Sequence, residues 1–429
     1  MTEFWCEYAW LPAGVRRGVY VAMSDVFTEV SVLDSPPPGV RLLAGLVVPG
    51  FANAHSHAFH RALRGRTHAD GGTFWTWRTA MYRLAARLDP DSYLRLARVV
   101  YAEMAAAGVT CVGEFHYVHH PAGGGRYADP NAMGEALRQA AADAGIRITL
   151  LDTCYLAGGI STPLAPGQER FSDGTVDAWA DRISAQRDAA HARVGAAIHS
   201  VRAVPRTDLP AVVAAAGDRP LHVHLSEQPA ENEACQAAYG ASPAELLHEA
   251  GALTVRTTAV HATHLSTKDI ELLGGAGTGA CFCPTTEADL ADGIGPAREL
   301  ADAGSPLSLG SDQHAVIDPL LEARALEHGE RLRTGERGRF APSELVAALT
   351  NHASLGWPEA GRIAVGAPAD LVAIDLASPR TAGSLPAQAV LAATAADVRT
   401  VVASGRIVAS SGRHELLDDP RPAIEELWL

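Results

Sequence analysis

The sequence predicts an α/β chain with a parallel barrel at its centre, because strand-like and helix-like segments alternate through the middle while both ends carry only short strands. Eight segments read as strands: residues 47–57, 109–115, 147–154, 193–199, 220–226, 257–264, 279–283 and 306–311. Amphipathic helices lie between them, for instance over residues 91–107 and 243–250. Eight such units in about 310 residues match a distorted (β/α)8 TIM barrel with insertions. An open doubly wound sheet is the alternative, but no Gly-x-Gly-x-x-Gly follows any early strand.

The two ends share a different texture. Gly18-Val19-Tyr20-Val21-Ala22 and the break at Ser35-Pro36-Pro37-Pro38-Gly39 read as short antiparallel strands. Similar runs return at Ala369-Asp370-Leu371-Val372-Ala373-Ile374-Asp375, at residues 398–402 and at Gly405-Arg406-Ile407-Val408. Neither end can bury a core alone, so both termini are expected to build one small β-sandwich. The expected division is residues 1–48 plus 360–429 for the sandwich and 49–359 for the barrel.

Composition narrows the partners. The 429 residues are 47% hydrophobic and 20% charged, as in ordinary globular proteins. Net charge is −14 and no Lys/Arg-rich run occurs, which argues against nucleic acid or an anionic membrane as partner. An anionic substrate would have to be met by local arginines. The N-terminus, Met1-Thr2-Glu3-Phe4-Trp5-Cys6-Glu7, lacks an apolar signal core and no apolar run would span a bilayer, so a cytoplasmic protein is expected. Six scattered cysteines suit a reduced core. Cys281 and Cys283 lie two apart on a strand-like segment, where a core position is preferred to a metal role.

The first strand, Val47-Val48-Pro49-Gly50-Phe51-Ala52-Asn53-Ala54-His55-Ser56-His57, runs through a Pro-Gly break and ends in two histidines. Residues two apart on a strand share a face, so both imidazoles can lean onto one metal ion. The later strands end in the same chemistry: His222-Val223-His224-Leu225-Ser226-Glu227, Val260-His261-Ala262-Thr263-His264 and Gly310-Ser311-Asp312-Gln313-His314. In a barrel, catalytic groups come from the C-terminal ends of several strands. Histidines placed for solvation would not sort in this way.

These residues resemble the amidohydrolase superfamily, through Pro49-Gly50-Phe51-x-Asn53-x-His55-x-His57, His224-x-x-Glu227, His261, Ser311-Asp312 and the closing Gly366-Ala367-Pro368-Ala369-Asp370-Leu371-Val372. The resemblance covers essentially the whole chain. It implies a distorted barrel with a sandwich from both termini and one divalent metal ion held by His55, His57, His224 and Asp312. Many binuclear members bridge two metals with a carboxylated lysine on the fourth strand. Here that strand reads Arg193-Val194-Gly195-Ala196-Ala197-Ile198-His199, and the only lysine, Lys268, follows the sixth. A Glu or Cys bridge stays open in principle, but a mononuclear site is expected, with zinc as the ion, although iron and manganese suit the same ligands.

The same resemblance implies catalytic roles for Asp312 as base, Glu227 as proton shuttle and His261 as a hydrogen-bonding group for the tetrahedral intermediate. His222 shares a face with His224, and the His-x-x-Glu spacing selects His224. His264 is expected to be structural. Within the superfamily, Ser56-His57-Ala58-Phe59-His60-Arg61-Ala62, Thr73-Phe74-Trp75-Thr76-Trp77-Arg78, Glu114-Phe115-His116-Tyr117, His199-Ser200-Val201-Arg202 and residues 283–293 resemble the N-formimino-L-glutamate deiminases of histidine degradation. That implies hydrolysis of a formimino C=N bond in a small substrate with two carboxylates, bound by His60, Arg78, Tyr117, His199 and Arg202. A planar guanidinium suits a carboxylate. Where related deiminases carry glutamine three residues after the second histidine, this chain has His60. A deaminase of the superfamily acting on a ring amine or another amidine is the alternative. A homodimer is expected by resemblance.

Overall fold

The computed structural model describes residues 2–68, 74–417 and 419–429. Its strands are β1 (Thr2–Leu11), β2 (Gly14–Met23), β3 (Phe27–Val32), β4 (Arg41–Pro49), β5 (Phe51–Ser56), β6 (Val109–His116), β7 (Arg147–Cys154), β8 (Ala192–Ile198), β9 (Leu221–Leu225), β10 (Thr257–His261), β11 (Gly279–Phe282), β12 (Leu307–Leu309), β13 (Leu371–Ile374), β14 (Val398–Ala403) and β15 (Arg406–Ser410). Strands β5 to β12 pair in sequence order as eight parallel neighbours. The β-sandwich expected from the termini takes the form of one mixed seven-stranded sheet, ordered β15-β14-β13-β4-β1-β2-β3. No helix among the described residues is long and apolar enough to cross a membrane.

The barrel strands are almost continuously buried, β6 and β7 along their whole length, as strands sheathed by helices on one side and a core on the other must be. Helices between them start where the sequence supplies caps. Asp89 accepts from the Ser92 amide in a capping box and Pro90 opens the helix Pro90–Ala106, whose Leu96, Val100 and Met104 face the core. Ser242 and Ser266 cap Pro243–Glu249 and Thr267–Gly275 in the same way.

Closure joins the first barrel strand to the last. The Ser311 and Asp312 amides donate to the His55 carbonyl at 3.1 and 3.0 Å, and the His57 amide donates to Asp312 O at 3.2 Å. Asn53 completes the seam from its side chain, accepting from the Ser311 amide at 3.0 Å and donating to Ser311 Oγ at 2.7 Å. The motif residues Asn53 and Ser311 therefore hold the two strands that carry His55, His57 and Asp312.

Two expected strands are corrected. The single strand over residues 47–57 is broken at Gly50: Val47 and Val48 pair with Ala373 and Val372 of β13, whereas Phe51 begins the barrel. The chain passes so close to β6 at this point that a Cβ on Gly50 would lie 2.3 Å from Thr110 Oγ1. The sixth strand stops at His261, because His261 and Ala262 both adopt positive φ (68° and 48°). His264 is therefore outside the strand, and its Nε2 bonds the Asp292 carbonyl at 2.8 Å.

Asp370, in the closing motif, joins the terminal sheet to the barrel. It pairs with Arg147 of β7, accepts from Thr110 Oγ1 of β6 at 3.2 Å and from the Ser404 amide at 2.9 Å. All of these groups are buried or nearly so, which makes the junction a paired polar cluster and not an isolated charge, with Arg147 Nε left unbonded among the described residues.

Candidate active site

A cavity of about 230 Å³ opens at the C-terminal ends of the barrel strands. Of the eleven site residues expected from the sequence, ten line it: His57, His60, Arg78, Tyr117, His199, Arg202, His224, Glu227, His261 and Asp312. The eleventh, His55, is fully buried beneath them.

His55 Nε2 lies 3.3 Å from Asp312 Oδ1 and 3.1 Å from His224 Nε2, and His57 Nε2 lies 3.4 Å from the same carboxylate oxygen. Backbone carbonyls set the tautomers. His57 Nδ1 faces Phe115 O and His224 Nδ1 faces His199 O, both at 2.9 Å. A carbonyl only accepts, so each Nδ1 carries the proton and each Nε2 turns a lone pair inward. Burial keeps these rings neutral, pulling His57 down to about 3 with the neighbouring His55 adding to the effect. Burial alone would raise Asp312, but the imidazoles of His55, His261 and His57 hold it well below the usual carboxylate range. Converging neutral imidazoles and an ionised carboxylate are the donor set of a divalent-cation site, and the Phe115 and His199 carbonyls that orient two of the rings suit it.

Backbone strain places these groups. Ser226, His261, Ala262, Asp312 and His314 have φ of 50°, 68°, 48°, 42° and 58°, all at or just past ends of β9, β10 and β12. Non-glycine residues enter this region at a cost, so its repetition around one cavity marks a built site. Beneath it, Glu114 accepts from Ser56 Oγ at 2.6 Å and from the Ala58 amide at 2.7 Å, fixing the turn that carries His57. His314 bonds Ser311 Oγ at 2.9 Å and faces Ser56 Oγ at 3.3 Å.

His261 stands among carboxylates. Its Nδ1 is 3.4 Å from Glu287 Oε1, and its Nε2 is 3.9 Å from Glu227 Oε1 and 4.0 Å from Asp312 Oδ2. Burial would lower it, yet Glu227, Glu287 and Asp312 together push it up to about 10. Glu227 also meets Arg202, whose guanidinium is 3.5 Å from Oε2.

The opposite wall carries the other predicted residues. His60 Nε2 contacts Tyr117 Oη at 3.1 Å, with the Trp77 ring edge-on at 5.0 Å. Burial holds both His60 and His199 well below the usual imidazole range. Arg78 reaches the cavity, with its Nε donating to Tyr82 Oη at 2.7 Å. Thr73 and the side chains of Phe74 and Trp75 lie outside the described residues.

Other candidates fall elsewhere. His222 bonds the Ser354 carbonyl at 2.9 Å and is turned away from the cluster. Cys281 and Cys283 are buried, unpaired and packed with Ala54, Val260 and Trp357. Lys268 is exposed on a helix and pairs with Glu245. Four residues escaped the sequence reading: Glu287, Glu231, Tyr82 and Tyr155. Glu287 lies within the short helix Pro284–Asp289 after β11, Glu231 lies four residues past Glu227 in the helix Pro229–Tyr239, and the tyrosines sit in segments with no motif. Only the stretch 283–293, which contains Glu287, offered a signal, and it pointed to no single residue.

A family model described as the amidohydrolase family matches residues 46–408. A formimidoylglutamate deiminase of Pseudomonas aeruginosa is 38% identical over 437 residues, covering 96% of this chain and 96% of its own. An 8-oxoguanine deaminase of the same organism is 32% identical over 380 residues, covering 85% and 82% respectively. The crystal structure of an amidohydrolase from Brucella melitensis matches with a TM-score of 0.93 at 32% identity, over 100% of both chains. An adenosine deaminase from Xanthomonas campestris solved with bound zinc, at 23% identity and a TM-score of 0.85, shares the fold.

Proposed function

The chain belongs to the amidohydrolase family, and on that premise we propose that it hydrolyses N-formimino-L-glutamate to N-formyl-L-glutamate and ammonia. It is a hydrolase of C–N bonds; the substrate and the residue roles are our reading. What carries the reading is the placement of two arginines, Arg78 and Arg202, in the wall of the cavity that also holds the His/Asp cluster. Two guanidinium groups at one cavity suit a substrate with two carboxylates, because Arg binds carboxylates in a fixed fork. A planar neutral base carries no carboxylate for either of them.

A divalent cation held by His55, His57, His224 and Asp312 would acidify a water toward a pKa of about 7 and so supply the nucleophile. The chain's own groups do the rest. Asp312, ionised and inside the ligand cluster, takes the first proton. Glu227, within 3.9 Å of His261 and 3.5 Å of Arg202, carries a proton to the leaving nitrogen. His261, as an imidazolium, donates to the oxygen of the tetrahedral intermediate. Addition of water to the C=N carbon and loss of its terminal nitrogen give a formyl amide and ammonia, so atoms and charge balance.

Arg202, Arg78, Tyr117, His199 and His60 orient the substrate in this reading. His60 replaces an amide side chain with a neutral ring already engaged by Tyr117, which leaves one ring nitrogen for the ligand.

The test is ammonia release from N-formimino-L-glutamate by zinc-loaded protein, with the co-product identified by mass. N-formyl-L-glutamate is expected. Formamide with glutamate would keep the substrate and overturn the reaction. No turnover by metal-replete protein, with release of ammonia from 8-oxoguanine or another ring amine, would transfer the assignment to the alternative.

A further inference from the structure

Gln168 lies behind the cavity wall, 2% exposed, and its orientation is unambiguous. Its Oε1 accepts from the Ala165 amide at 2.7 Å, and a backbone N–H can only donate. The other end is therefore the NH2 group, and it donates to Tyr82 Oη and to Tyr155 Oη, each at 2.9 Å. Tyr82 Oη also receives Arg78 Nε at 2.7 Å.

A phenolic oxygen has two lone pairs and one proton. Gln168 and Arg78 occupy both lone pairs of Tyr82, so Tyr82 has no room to accept from Tyr155. If the two hydroxyls bond one another, Tyr82 must be the donor. In either arrangement no side chain on this wall, among the described residues, accepts the Tyr155 proton. The Tyr155 ring is held edge-on to His199 at 4.6 Å and to Phe171 at 5.6 Å, and the residue lines the cavity. Its proton is thus available only to what occupies the cavity.

Arg78 and Tyr155 line the cavity as donors, and the Arg202 guanidinium lines it beside its carboxylate partners Glu227 and Glu231. A carboxylate, which only accepts, matches the polarity of Tyr155 and Arg78.

We propose that Tyr155 is a further specificity-determining residue, donating its phenolic hydrogen to one carboxylate of the substrate, and that Gln168 is the positioning residue that commits that hydrogen to the cavity. The assignment of the ligand as a dicarboxylate rests on the function proposed above, but the hydrogen-bond polarity does not.

Calorimetric titration of glutarate, a plain five-carbon dicarboxylate, into metal-replete full-length protein reads the donor without turnover. Tyr155→Phe keeps the ring packing and removes the proton. Gln168→Glu keeps the bond from the Ala165 amide but presents a second acceptor, which draws the phenolic protons away from the cavity. Each variant is expected to weaken glutarate binding about tenfold or more, the usual cost of a lost hydrogen bond to a charged group. With N-formimino-L-glutamate the same loss should fall on KM and not on kcat, a split that general loosening of the fold would not give.

Equal glutarate affinity in wild type and Tyr155→Phe, or no binding by wild type, would overturn the proposal. Should Gln168→Glu fail to fold, Tyr155→Phe decides the matter alone. Wild-type protein that binds glutarate through Tyr155 yet releases no ammonia would support this inference while overturning the deiminase reading.

Discussion

His55 Nε2 and His224 Nε2 face each other at 3.1 Å, deep under the cavity. The His224 proton is already committed to the His199 carbonyl, so its Nε2 is a lone pair. Two buried imidazoles in this posture share either a proton or a cation. Removal of metal with a chelator is therefore expected to abolish ammonia release and to lower Tm by several degrees, since a bound ligand stabilises only the folded state. Zinc should restore both. Metal analysis should find about one ion per chain, and His224→Asn should lose most of it. Metal-free protein with full activity would contradict the cluster's assignment.

Glu227 approaches His261 and Arg202 but does not belong to the His/Asp cluster. Glu227→Gln should lower kcat by roughly 10²–10⁴, the range for a general acid or base. Its metal content should match wild type. Loss of both together would make Glu227 a ligand and not a proton carrier.

Arg202→Lys keeps the charge and removes the planar fork. KM is expected to rise about tenfold or more while the protein stays folded. An unchanged KM would mean that Arg202 serves Glu227 and Glu231 and no substrate carboxylate.

Glu322 supplies a pH test away from the metal ligands. It accepts from the Thr285 amide at 2.9 Å and from Thr285 Oγ1 at 2.5 Å, and burial pushes it from 4.5 up to about 8. A carboxyl raised on folding leaves stability intact below pH 4.5, and that stability is lost as pH climbs through about 8. Glu322→Gln stays neutral throughout. It should match wild type near pH 4.5 and exceed it at pH 8.5, by on the order of 5 kcal/mol. Parallel denaturation curves at the two pH values would refute this.

Asp370 joins the terminal sheet to the barrel by pairing with Arg147, both buried. Asp370→Ala strands the guanidinium and should cost about 3–5 kcal/mol, read as a fall in the denaturation midpoint. A loss under 1 kcal/mol would mean that the junction relaxes around the gap.

The barrel was legible because its strands are short apolar runs closed by turn residues, and burial on both sides leaves no other composition open to them. His55, His57, His224, Glu227 and Asp312 were legible because strand ends impose fixed local spacings. Tyr82, Tyr155 and Gln168 were not. They come from a helix and a long loop after β7, and nothing local ties Gln168 to a tyrosine 86 positions earlier. Glu287 meets His261 from 26 positions away for the same reason.

Local pattern settles the order of strands, the sorting of ionisable groups to strand ends and a candidate metal-ligand set, since each depends on neighbours a few residues apart. Where the first strand stops being sheet and becomes barrel, which ring nitrogen holds a proton and which hydroxyl faces the cavity were decided only by the tertiary structure. Gly50 against Thr110, His224 on His199 O and Tyr155 under Gln168 are contacts across the chain, and hydrogen-bond polarity is assigned by the partner a group meets, which no local pattern encodes.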